Sequence, residues 1–111
     1  LAPESRAGWV VLLGGVLPIV AGFEELLFRG VLVGALSAGF GVSPWVLVVA
    51  SSILFGLGHG AQGRLGVLVT GVLGGVLASA FVLTGSLLVV FVAHYLVNAL
   101  EFVVHETDLV R

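Results

Sequence analysis

Read by polarity, the chain is a series of long apolar stretches broken at short polar intervals. After a polar lead-in, Leu1 to Ala7, the run from Gly8 to Phe40 is apolar apart from Glu24, Glu25, Arg29 and Ser37, and predicts either one long helix or two joined near Pro18 and Gly22. Gly39, Phe40 and Gly41 form a turn signal. Ser43 before Pro44 fits an N-cap and first-turn pair opening a helix that runs to about Gly58. The polar interval His59 to Gly66, with Gln62 and Arg64, precedes a third helix to about Leu83. Thr84, Gly85 and Ser86 then separate a fourth, ending near Val104, before a polar end from His105 to Arg111. A helix that crosses a bilayer needs about 20 mainly apolar residues, so the pattern predicts an all-α, polytopic transmembrane helix bundle of about four membrane segments.

Composition points the same way. With 59% hydrophobic and 9% charged residues, the chain has too little polar surface for a water-exposed domain, and the lipid bilayer is its expected solvent. Residues 1–111 suffice for one domain and leave no room for a second. Four Arg, no Lys and a formal charge of −2 provide no basic face for nucleic acid, which is excluded as a partner. The absence of Cys removes disulfides, thiolate ligands and a cysteine nucleophile. A start at Leu1 and the lack of Met suggest the core of a longer membrane protein, and no signal peptide is evident. Four antiparallel crossings would set Arg6, Arg64 and Arg111 on one side of the bilayer, the cytoplasmic one by the positive-inside rule. Seventeen Gly suit close helix packing, with small-residue pairs at Gly30 and Gly34, Gly56 and Gly60, and Gly71 and Gly75.

The informative residues are those that lipid should have excluded. A charge near the bilayer centre costs roughly 2.5–3.5 kcal/mol on insertion scales, so Glu24, Glu25 and Arg29 together carry a gross cost on the order of 8 kcal/mol. Glu25 and Arg29, four apart on a helix, can neutralise each other. Glu24 lies about 100° away around the helix and needs another partner, the situation in which a carboxylate becomes a tunable general base. A purely structural polar network is the alternative at this triplet. His59 alone reads as an interfacial residue. His94 and Asn98, one turn apart, place imidazole and carboxamide on one face of an otherwise apolar helix; an interhelical polar clamp is the alternative there. Glu101 and His105 extend that stripe towards water. Ser51, Ser52, Thr70, Ser79 and Thr84 can satisfy themselves on backbone carbonyls.

Taken in order, Glu24-Glu25-Leu26-Leu27-Phe28-Arg29, Phe55-Gly56-Leu57-Gly58-His59 and His94-Tyr95-Leu96-Val97-Asn98 resemble the EExxxR, FxxxH and HxxxN motifs of the CPBP family, also called Abi, which includes the type II CAAX prenyl proteases. The resemblance implies an intramembrane endopeptidase acting on a CAAX-type prenylated peptide or on a leader or membrane peptide, in the plasma membrane of a prokaryote. It implies that Glu24 and His59 activate water, that His94 and Asn98 polarise the scissile carbonyl and stabilise its oxyanion, and that Glu25, Arg29 and Phe55 support the site.

No cofactor is required by these residues, since glutamate and histidine can activate water unaided. Zinc held by Glu24, His59 and His94 is the alternative, although HExxH is absent. A competing function is non-catalytic: a membrane protein that binds a peptide or confers bacteriocin self-immunity. A small transporter would also bury ionisable groups, but would more naturally show two similar halves, which this sequence lacks.

Overall fold

Pro18 lacks the N–H that a helix interior uses, yet the first apolar run does not split there. In the computed structural model, which describes residues 3–106, Arg6–Phe40 is one continuous helix, α1. The helix accommodates proline by widening. Leu12–Val16 are wound as a π-helix, with the Leu17 N–H donating five residues back to Leu12 O. A second π-helical stretch covers Leu26–Ala35. The Ser5 hydroxyl caps the start, accepting from Gly8 N at 3.0 Å. Gly41 ends the helix in the left-handed region at φ 66°, a conformation glycine adopts without a Cβ penalty.

Three further helices follow: α2, Pro44–Leu57; α3, Gly63–Thr84; and α4, Leu87–Glu106. Ser43 does stand at the α2 N-cap, but its carbonyl rather than its hydroxyl meets the first turn, accepting from Val46 N at 3.1 Å. The polar interval is shorter than its composition suggested. Only Gly58, His59 and a 3₁₀ turn at Gly60–Gln62 lie between α2 and α3, so Arg64 and Gly66 belong to a helix. Among the described residues no strand occurs, and the predicted all-α bundle holds. Residues 107–111 of the predicted polar end, including Arg111, lie outside the described residues, as does the side chain of His105.

The packing directions follow from which residues meet. On α2 and α3, Gly56 lies against Gly71 and Ser52 against Gly75, an antiparallel register. Gly30 approaches Leu87 on α4, and Gly34 approaches Phe81 on α3. Of the expected small-residue pairs, Gly60 has open space around it. The closest approach joins Gly56 to Gly71, each drawn from a different pair. Val33, Val48 and Ala78 form the buried apolar centre of α1, α2 and α3, with Leu47, Phe81 and Val82 packed on it. Ser51 and Ser52 bond to Val48 O, and Thr84 to Ala80 O, as apolar surroundings require. Thr70 departs from that expectation by donating to the Gln62 side chain at 2.9 Å.

Among the described residues three helices are long and apolar enough to cross a membrane: Arg6–Phe40, Gly60–Thr84 and Leu87–Val104. The fourth, α2, has 14 residues. At 1.5 Å per residue it rises about 21 Å, less than the roughly 30 Å of a hydrocarbon core. Its C-terminal end therefore stops beside the middle of α1, where His59 Nε2 lies 3.6 Å from Glu24 Oε2. Arg64 follows that connection, in the first turn of α3. Large apolar side chains such as Ile19, Phe23, Leu65, Leu83 and Leu88 face outward, as lipid contact allows.

A Cβ on Gly56 would lie 2.9 Å from Val67 O and 3.1 Å from Gly71 Cα, both backbone atoms that cannot step aside. Gly56→Ala is expected to lower stability by about 1–3 kcal/mol in denaturant unfolding in micelles. Gly14→Ala, where nothing lies within 4 Å, should be neutral or mildly stabilising. Equal effects at both sites would contradict the packing.

Candidate active site

A carboxylate and a guanidinium four residues apart on α1 meet as their spacing predicts: Arg29 Nη1 is 2.9 Å from Glu25 Oε2, with both residues essentially inaccessible to solvent. Beyond the mutual pairing that the spacing predicts, both side chains also reach other helices. Glu25 Oε2 also lies 2.6 Å from His94 Nδ1 on α4, and Arg29 Nη2 donates to Gly74 O on α3 at 2.9 Å. One buried ion pair thus ties three helices together.

Because a carboxylate accepts, His94 donates its Nδ1–H to Glu25 and turns Nε2 towards the other glutamate, 3.3 Å from Glu24 Oε1. His59 is held from its other side. Its Nδ1 lies 2.6 Å from Phe55 O, a carbonyl that can only accept, so Nδ1 carries the hydrogen and Nε2 is left facing Glu24 Oε2. At 3.6 Å that approach is too long for a hydrogen bond. Glu24 therefore stands between two imidazoles, one from α4 and one from the turn that follows α2. Its side chain and that of His59 are 22% and 26% exposed, whereas those of His94 and Glu25 are 3% and 1%. The cluster is closed behind and open at the Glu24–His59 edge.

Phe55 packs the parts against one another. Its ring is buried, 4.7 Å below the Arg29 guanidinium, 4.8 Å from the His59 ring, and edge-on to His94 at 5.8 Å and Phe28 at 5.2 Å. Gly74 leaves room for it, since a Cβ there would lie 2.9 Å from Phe55 Cδ2. Asn98 is half-buried one turn after His94 and forms no hydrogen bond among the described residues. Glu101, farther along the same stripe, is exposed.

A family model described as type II CAAX prenyl endopeptidase Rce1-like matches residues 6–100, which takes in every residue of this cluster. The chain belongs to this family. No curated protein and no solved structure matches it. Membership in the CAAX endopeptidase family, with three helices able to cross a bilayer, makes this an integral membrane protein of a protease family.

Donors for the zinc alternative are present in Glu24, His59 and His94, but among the described residues no three His, Cys, Asp or Glu side chains are disposed to hold a metal ion. Glu24 Oε1 faces His94 Nε2 at 3.3 Å, its Oε2 faces His59 Nε2 at 3.6 Å, and His94 Nδ1 is committed to Glu25. The chemistry below is written with protein groups alone, and the chelator experiment decides between it and the zinc alternative. Gly74 and Phe28 are the contributors that reading by residue type does not find. Gly74 acts through a backbone carbonyl, which has no signature in residue identity, and Phe28 is one more aromatic in an apolar run.

Removing one partner of the buried pair strands the other. Arg29→Met is expected to cost about 3–5 kcal/mol, and Glu25→Gln with Arg29→Met distinctly less, because no lone charge is then left inside. Unfolding of the two variants in micelles checks this. A double variant as unstable as the single one would show that the charge on Glu25 is not what makes the loss costly.

Proposed function

We propose that the protein is an intramembrane endopeptidase that hydrolyses a peptide bond in a CAAX-type prenylated peptide, or in a leader or membrane peptide, with water activated by Glu24 and His59. The observation that carries this reading is the 3.6 Å gap between Glu24 Oε2 and His59 Nε2, a pair of hydrogen-bond acceptors that cannot bond each other at the open edge of the cluster. A water molecule there donates one hydrogen to each, leaving its oxygen lone pair free to attack. Family membership supports a peptide substrate reached in the membrane.

The steps then follow. Glu24 takes a proton as the water oxygen bonds to the scissile carbonyl carbon, and the carbonyl oxygen becomes an oxyanion. His94 Nε2, which faces the Glu24 carboxylate and so carries a hydrogen in this reading, presents its N–H to that oxyanion, and Asn98 its amide N–H, which has no other bond among the described residues. Glu24 passes its proton to the amide nitrogen as the C–N bond breaks, which regenerates the carboxylate. Glu25 keeps the His94 ring in the required orientation, and Arg29 with Phe55 holds Glu25 and His59.

The expected behaviour of Glu24→Gln is a fall in kcat of about 10²- to 10⁴-fold on a quenched fluorescent peptide substrate, with peptide binding and melting temperature nearly unchanged. Activity of the wild type is expected to survive a strong chelator. Inhibition by chelator that zinc reverses would restore the metal alternative. Binding by a well-folded wild type that never cuts would favour the peptide-binding or immunity role.

A further inference from the structure

The π-helical stretch before Pro18 leaves one backbone carbonyl without a helical partner. Leu13 O would accept from residue 17 in an α-helix or from residue 18 in a π-helix. Leu17 N–H is committed to Leu12 O, and Pro18 has no N–H. Tyr95, on α4 and adjacent to His94, fills the gap: its hydroxyl donates to Leu13 O at 2.6 Å. An unsatisfied carbonyl inside a membrane protein is costly, so this bond is strongly directed.

The consequence lies one residue away. His94 reaches Glu25 at 2.6 Å and Glu24 at 3.3 Å, while Tyr95 reaches Leu13, roughly three turns nearer the start of α1. Two neighbouring side chains, about 100° apart on α4, thus grip α1 at two heights. Together they set both the rotation of α4 about its axis and its height against α1. Loss of the upper grip lets α4 slide or turn, and His94 Nε2 moves relative to Glu24.

We infer that Tyr95 is a positioning residue, its phenol replacing the backbone donor that Pro18 lacks and so holding His94 on the two glutamates. The inference rests on the protease reading for its kinetic consequence, but not for its structural one.

The test is a cycle of Tyr95→Phe and Pro18→Ala in the full chain. Tyr95→Phe removes only the hydroxyl, and kcat per folded molecule is expected to fall about 10- to 100-fold with KM little changed, as for a sub-ångström to ångström displacement of a catalytic group. Pro18→Ala returns an N–H to the helix and gives Leu13 O a backbone partner, so the double variant should recover most of that loss. In parallel, the His94 ring nitrogens are followed by NMR in ¹⁵N-histidine-labelled protein, assigned with His94→Gln; they should shift in Tyr95→Phe and return in the double variant. If the wild type cuts no peptide, the protease reading fails while the NMR cycle still decides the role of Tyr95. If Tyr95→Phe does not fold, recovery of folding by the added Pro18→Ala supports the inference, and failure to recover opposes it. Wild-type kcat and unmoved His94 signals in Tyr95→Phe, or a loss that Pro18→Ala does not relieve, would overturn it.

Discussion

A single carboxylate oxygen carries the architecture of this site. Glu25 Oε2 receives Arg29 from the same helix and His94 from α4, and Arg29 spends its other nitrogen on a carbonyl of α3. In an apolar surround the cost of an unpaired charge is so high that these partners cannot separate without large penalty. Helices that lipid alone would let slide past one another are thereby held in a fixed register. Glu24, the next residue, inherits a defined position from that restraint, with an imidazole on each side.

The position of the site along α1 follows from the brevity of α2. Because α2 has 14 residues against the 35 of α1, the connection into α3 delivers His59 to the middle of α1. The polar turn is partnered there, since His59 Nδ1 is bonded to Phe55 O, and the Glu24–His59 edge is left partly exposed. The proposed hydrolysis uses that combination of a buried rear wall and an exposed front.

Much of this was legible in the sequence. Polarity alone outlines the four helices, because glycine ends two of them in the left-handed region at Gly41 and Gly85 where no apolar side chain would serve. The charged triplet and the two histidines stand out because lipid has no use for them, and the spacing of Glu25 and Arg29 is enough to pair them. What residue types do not reveal is the far side of each bond. Gly74 O and Leu13 O are backbone acceptors, so the ties of Arg29 to α3 and of Tyr95 to α1 leave no trace in the letters. Nor does periodicity tell that Glu25 serves His94 as well as Arg29, or that Gly56 meets Gly71 rather than working with Gly60. Asn98 stands on the predicted face but hydrogen-bonds to none of the others among the described residues.

The most direct measurement of the central claim is product analysis. Purified protein in lipid nanodiscs is incubated with a prenylated CAAX peptide, or with a leader-peptide panel, in ¹⁸O-labelled water, and the products are weighed by mass spectrometry. The account predicts cleavage at a single bond with one ¹⁸O atom in the new carboxylate, present for the wild type and lost in Glu24→Gln. Peptide recovered intact after demonstrable binding, or equal product from the Glu24→Gln protein, would contradict it.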